Sequence, residues 1–366
     1  MNKIVKFIKG EAVLCAASIA AIISMFFVPP NAEYIGYIDF HVLALLFSLM
    51  IVISGWKKSG VFSLIESFLL TNARNERLLS ALLCAVCFFT SMLITNDVAL
   101  ITFVPLAVMT LSQNEKTLII SVVLMTVAAN LGSMLTPLGN PQNLFIYSSF
   151  SLPIGEFLKT MALPTVFSFV LIFASVFVLK PEAIAFGEEK PKVNAKGALC
   201  FSILFVICLA CVLHFLDWKI MLAAVLVFAL FYDRKLLKTA DYSLLITFVA
   251  FFIFVGNIKQ LESVSALLSR AIAGRELELG ALVSQVISNV PAAVLLAGFA
   301  GDIKELLVGV NIGGLGTPIA SMASLISYRI YASRKGAQGG RYMLIFLGTN
   351  FLFLALSYGF CKIIGY

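Results

Sequence analysis

Apolar residues run along this chain in stretches of membrane length separated by short polar or charged clusters: 11–28, 37–53, 78–111, 118–150, 161–179, 198–216, 220–231, 244–255, 279–299, 306–330 and 343–364. One helical crossing takes about 20 residues, so several of these stretches predict single transmembrane helices. The run 78–111 is too long for one crossing and carries Thr95-Asn96-Asp97 at its middle, while 279–299 carries Ser288-Asn289-Val290. Each predicts two short arms folded about a polar tip. The next run in each half is interrupted by one phrase written twice, Asn130-Leu131-Gly132-Ser133-Met134-Leu135-Thr136-Pro137 and Asn311-Ile312-Gly313-Gly314-Leu315-Gly316-Thr317-Pro318. Backbone groups freed inside a bilayer are tolerated only where protein buries them or a wet cavity meets them, so each phrase predicts a broken helix at a sheltered site.

The expected fold is therefore an all-α polytopic membrane protein of inverted repeats, each with a re-entrant hairpin and a broken transmembrane helix. An N-terminal transmembrane helix (1–36) precedes repeat 1 (37–150), with its hairpin at about 78–111 and its broken helix at about 117–148. Scaffold helices with a cytoplasmic linker at 180–196 fill 151–241. Repeat 2 (242–331) carries a hairpin at about 279–300 and a broken helix at about 304–330, and a C-terminal transmembrane helix (332–366) ends the chain. Segments of mixed polarity, 57–70 and 259–273, are expected along the membrane interface. The charged linker, with Pro181, Glu182, Glu188, Glu189 and Pro191, is expected only to connect.

Composition agrees: 61% of residues are hydrophobic and 12% charged, with a mean hydropathy of +1.02, far from soluble usage. The N-terminus, with Lys3, Lys6 and Lys9, reads as the flank of a retained first helix rather than a signal peptide. If it is cytoplasmic, all of the 26 lysines and arginines except Lys159, Lys219, Lys259, Arg270, Arg275, Lys304 and Lys362 fall inside. Such a bias sets orientation and accounts for the net charge of +7 without nucleic acid. The expected place is the inner (plasma) membrane, N-terminus cytoplasmic and C-terminus outside. The seven cysteines, including Cys84-x-x-Cys87 and Cys208-x-x-Cys211, read as small packing residues. His41 and His214 read as interfacial.

The chemistry gathers at the interruptions. Thr136-Pro137 and Thr317-Pro318 suit a new helix start, a hydroxyl capping free amides and then proline in the first turn; Pro137 and Pro318 mark the breaks. The preceding helices should end near Gly132 and Gly313, where glycine suits left-handed or strained backbone. Opposed half-helices leave carbonyls, which suit a cation, and amides, which suit an anionic group. Asn96 and Asn289 each offer an acceptor and a donor, and Thr95 and Ser288 add hydroxyls. Asp97 is the one carboxylate expected near the membrane centre, where it costs roughly 2.5–3.5 kcal/mol; it binds a cation or a proton, or else merely caps a helix. Asn140 and Asn143 find no twin in the second half and read equally as ligands or turn formers. The candidate substrate- or ion-binding set is thus Thr95, Asn96, Asp97, Asn130, Gly132, Ser133, Thr136, Asn140, Ser288, Asn289, Val290, Asn311, Gly313, Gly314 and Thr317, with a transported Na+ placed near Asn96 and Asn289 and no resident metal or cofactor. No lysine or arginine is expected in it, and no nucleophile–base set points to an enzyme.

Thr95-Asn96-Asp97-Val98-Ala99-Leu100, residues 130–143, Ser288-Asn289-Val290-Pro291 and Asn311-Ile312-Gly313-Gly314 resemble the ion transporter superfamily, in particular its citrate-transporter-like and arsenical-pump-like permeases. The resemblance spans roughly residues 39–331. It implies a homodimeric scaffold and an elevator-like motion of the transport half. Related divalent anion/sodium symporters carry Ser-Asn-Thr at both tips and bind sodium and carboxylate there; Asn96 and Asn289 match the asparagine, and Ser288 the serine. Thr95 replaces the other serine, and Asp97 and Val290 replace both threonines. A carboxylate at Asp97 repels a dianion, and an acidic residue there is closer to the arsenical-pump branch. The leading expectation is an ion-coupled secondary active transporter of a small anion, a carboxylate first, working with a coupling Na+ or H+ in the lipid bilayer as a homodimer. The alternatives are an arsenite/antimonite efflux permease, a sodium/proton antiporter and, from another class, a passive channel or structural membrane subunit.

Overall fold

The computed structural model describes residues 11–184 and 193–366; the first ten residues and the middle of the linker lie outside the described residues. Among these the chain is helical, with no strand beyond one isolated bridge, Asn75 to Ala183. Helix α1 (Ala12–Met25) is followed by α2 (Phe40–Lys58), α3 (Val61–Asn72), α4 (Glu76–Ile94), α5 (Asn96–Thr110), α6 (Glu115–Gly132), α7 (Pro141–Ser149) and α8 (Ile154–Val176). Then come α9 (Ala195–Val212), α10 (Trp218–Tyr232), α11 (Tyr242–Gln260), α12 (Glu262–Ile272), α13 (Glu276–Ile287), α14 (Asn289–Ala297), α15 (Ile303–Ile312), α16 (Met322–Ala332) and α17 (Gly339–Ile363). Seven helices among the described residues are long and apolar enough to cross a membrane, and the protein is an all-α polytopic membrane protein.

Both hairpins form where the polar tips stand. Arms α4 and α5 meet at Thr95 (φ 71°) and arms α13 and α14 at Ser288 (φ 75°). Positive φ is uncommon for these residue types, and the two halves share it at corresponding positions. Each base is fastened by a buried glutamate: Glu76 accepts from Asn114 Nδ2 at 2.8 Å, and Glu276 accepts from the amides of Gly301 and Asp302 at 3.0 and 3.2 Å. Asn114 caps α6 and Asp302 caps α15, so each glutamate ties an entering arm to the start of its own broken helix.

Helix α8 shows that the hairpins enter the bundle from opposite ends. Its 23 residues span roughly 34 Å at 1.5 Å per residue. At its first turn Glu156 pairs with Lys304 at 2.8 Å, beside the base of the second hairpin; past its last turn the Leu179 carbonyl accepts from Arg77 at 2.5 Å, at the base of the first. Helix α17 repeats the measurement. Gln338, just before it, donates to Tyr331 Oη, whose hydroxyl donates to Glu115 of α6, while Lys362 at its far end pairs with Glu278 of α13.

The broken helices stop at Gly132 and Ile312, as expected, but restart later than the threonine–proline pairs, at Pro141 and Met322. Asn140 and Ser321, both extended, stand at the N-cap positions. The threonine hydroxyls serve another purpose. Thr136 Oγ1 donates to the Met92 carbonyl and Thr317 Oγ1 to the Gln285 carbonyl at 2.9 Å, which pins each break to the arm leading into its own tip. Gly132 and Gly313 have helical rather than left-handed angles. A Cβ on Gly132 would lie 2.2 Å from the Phe88 carbonyl oxygen, and one on Gly313 2.8 Å from the Ala281 Cα, so glycine is needed there for close packing of the hairpin arm. The linker also does more than connect: the Glu76 amide donates to the Glu182 carbonyl at 2.8 Å.

Candidate functional site

The tips and breaks of the two halves interlock through one buried amide network. Asn130 Oδ1 accepts from Asn96 Nδ2 at 2.8 Å and from Ser321 Oγ at 3.0 Å. In the mirrored place Asn311 Nδ2 donates to Asn143 Oδ1 at 2.7 Å, and Asn140 Nδ2 approaches Asn311 Oδ1 at 3.5 Å. Each broken helix thus reaches into the restart of the other. Asn140 and Asn143 accordingly have positional twins, Ser321 and Ser324, which the difference in side chain conceals. The tip amides are held alike, Asn96 N donating to Gly139 O at 3.2 Å and Asn289 N to Ala320 O at 2.9 Å. Ser133 accepts from Asn140 Nδ2 at 2.6 Å. Gly314 leaves room for Asn289, whose Nδ2 would lie 2.9 Å from a Cβ there.

A cavity of about 660 Å3 leads to this crossing, with Thr95, Asp97, Asn140, Pro141 and Met322 at its inner end. Its other walls carry Lys57, Lys58, Asp233, Lys235 and Asp241, so the cavity opens at the end where the base of the first hairpin lies. Three lysines therefore line the approach, although none stands at the tips. Lys58 pairs with Asp233; this ammonium and the Lys235 amide hold the Asp233 carboxyl below its usual range. A second cavity of about 100 Å3, lined by Ser288, Val290 and Arg329, adjoins the first and shares Asp241 and Met322 with it.

Asp97 is half-buried and faces the larger cavity. Its carboxylate has no hydrogen bond or ion pair among the described residues, and the amide of Asp97 is taken by Asn96 Oδ1 at 2.9 Å. It is not the capping group of α5. Two further groups at the crossing are buried and unpartnered among the described residues, the donor Asn130 Nδ2 and the acceptor Asn140 Oδ1. Buried polar groups cost free energy when left unsatisfied, so the crossing holds a donor and an acceptor in want of partners; Asp97 and Asn140 line the cavity, and Asn130 lies buried behind them. His41 and His214 stand apart from it, their ring centres 6.1 Å from each other, with His214 stacked on Tyr147.

Of the fifteen residues the sequence gathers into one site, the structure brings Thr95, Asn96, Asp97, Asn130, Ser133, Asn140 and Asn311 to the crossing, with Ser288 and Asn289 beside it, while Thr136, Thr317, Gly132 and Gly313 serve the packing of the hairpin arms. Sequence reading missed Ser321, Gln285, Lys57, Lys235 and Asp241. The signal for Ser321 was available: it follows Pro318 at the spacing by which Asn140 follows Pro137. The lysines carried no local signal, because only packing turns a helix end toward the cavity.

The chain is 30% identical to an uncharacterised transporter of Methanocaldococcus jannaschii over 86% of both chains, and 30% identical to the inner membrane protein YbiR of Escherichia coli over 85% of both. It is 29% identical to a silicon efflux transporter of Oryza sativa subsp. japonica over 35% of this chain and 26% of that one. Residues 4–326 match the citrate transporter family, and the chain belongs to that family of membrane transporters.

Proposed function

We propose that this protein is an ion-coupled secondary carrier of a small oxygen-rich anion, a carboxylate by the reading closest to the family, moved by alternating access. The observation that carries the proposal is the one-ended cavity whose inner wall is Asp97, Thr95 and Asn140 at the crossing of two oppositely entering hairpins. Paired broken elements of this kind are the sequence pointer to a carrier site. Lys57 and Lys235 draw an anion into the cavity, and the free amide of Asn130 with the tip groups receives its oxygens. Asp97 carries the coupling cation, because a carboxylate facing an anion must be neutralised by a proton or a metal ion before both share the site. In this reading the lysine-lined end is cytoplasmic and the cavity open to it, in the inner membrane and in a homodimeric scaffold.

A second reading, export of an undissociated oxyacid of the arsenite kind, is favoured by the same unpaired Asp97 together with the free acceptor of Asn140, since both want hydrogens from the solute. The name of the rice relative, a silicon efflux transporter, fits an oxyacid of that type. Uptake into proteoliposomes tests both readings, with citrate, succinate and arsenite offered under imposed proton or sodium gradients. Gradient-dependent flux of one of them is expected, and Asp97→Asn should lower it at least about tenfold while the protein still folds, the scale of a lost proton-transfer group. Flux that ignores every gradient, or single-channel currents, would remove the carrier reading.

A further inference from the structure

A broken helix exposes carbonyl oxygens, and converging carbonyls are what a small dehydrated cation seeks. In this protein those oxygens are occupied in both halves. Gln285 of α13 directs Nε2 at the carbonyls of Gly313 and Leu315, each at 2.9 Å, and at its own helix's Ala281 at 3.0 Å. In the first half Asn143 of α7 directs Nδ2 at the carbonyls of Ser133, Met134 and Thr136, at 3.2, 3.4 and 3.1 Å.

The orientation of both amides follows from their neighbours. Gln285 Oε1 accepts from the Thr317 backbone amide at 2.9 Å, a group that can only donate, so the nitrogen must face the carbonyls. Asn311 donates through Nδ2 to the Leu307 carbonyl at 2.7 Å, which fixes its ring of contacts; the same nitrogen donates to Asn143 Oδ1 and leaves Asn143 Nδ2 to the loop. Each amide nitrogen offers two hydrogens to three oxygens, a partial positive charge in a carbonyl cage.

We propose that Gln285 and Asn143 are built-in surrogates for a bound metal cation, filling the carbonyl cages at the two helix breaks so that neither takes up sodium. The two residues come from different elements: Gln285 from the hairpin arm leading to the tip, where the first half has Met92, and Asn143 from the restarted helix, where the second half has Ser324. The same cage is therefore closed by two unrelated routes. The inference rests on the carrier reading only in assigning coupling to Asp97; the occupancy of the cages is a separate matter.

Thermal unfolding of the full-length protein in detergent, in sodium chloride against choline chloride at equal ionic strength, tests the occupancy without any substrate. Because the Asp97 carboxylate could itself respond to sodium, the comparison is made in an Asp97→Asn background, where the protein with both cages intact should show no sodium-specific shift. Gln285→Ala, which empties the second cage, should acquire a saturable sodium-dependent rise of about 3 °C or more by mass action, whereas Gln285→Met, which refills the space without donors, should not. Asn143→Ala is the parallel test of the first cage. A sodium-specific shift in the Asp97→Asn protein with both cages intact overturns the proposal, as does a folded Gln285→Ala in that background that ignores sodium or a Gln285→Met that responds equally. If neither alanine variant folds, the titration of Asp97→Asn decides alone: a sodium-specific rise overturns the proposal and its absence upholds it. Absence of substrate flux, by contrast, would count against the carrier reading and leave these titrations intact.

Discussion

The energetic centre of the site is a single oxygen, Asn130 Oδ1, which accepts from the first tip and from the restart of the other half at once. Replacing Asn130 with alanine strands two buried donors, Asn96 Nδ2 and Ser321 Oγ, and each buried group left unpaired costs about 1–3 kcal/mol. Asn130→Asp retains the acceptor, though it adds a charge near Asp97. Thermal unfolding in detergent should therefore rank wild type above Asn130→Asp, and Asn130→Asp above Asn130→Ala. An alanine variant as stable as wild type would show that the interlock contributes nothing. The asparagines themselves were legible in the sequence because they are repeated; their partner Ser321 was marked only by its spacing after Pro318, since a serine in one half stands where the other has an asparagine.

At the scale of elements, the sequence revealed the breaks but misassigned the reasons for the residues at them. Hairpin tips, arm lengths and helix ends follow from apolar run length and a polar interruption, and these came through to within a few residues. The glycines and threonines of the repeated phrase were read as backbone and capping devices, because those are local properties. In the structure they answer to a neighbour far along the chain: Gly132 to the Phe88 carbonyl, Thr136 to that of Met92. Gly132→Ala should accordingly force the arm away and lower stability by about 1–3 kcal/mol, the range of overpacked cores. Gly155→Ala, in α8 with nothing within 4 Å of its added Cβ, should be neutral or slightly stabilising, as alanine is in a helix interior. Equal unfolding midpoints for the two variants would contradict the packing account.

For the whole molecule the decisive relation is opposition: one hairpin base is fastened at the far end of α8 and the other at its start. This was accessible from charge, because the positive bias is satisfied only when the two hairpins return to the side they entered from, on opposite faces of the bilayer. In the proposed orientation the lysines lining the cavity stand at the cytoplasmic end. Single cysteines at exposed positions beside each base, Arg74→Cys and Arg275→Cys in a cysteine-free background, convert the relation into a measurement. A membrane-impermeant maleimide added to spheroplasts should label position 275 and spare position 74, and inverted vesicles should reverse the pattern. Labelling of both from one side would mean that both hairpins enter from the same face, and no motion of one repeat against the other would then carry a shared site across the bilayer.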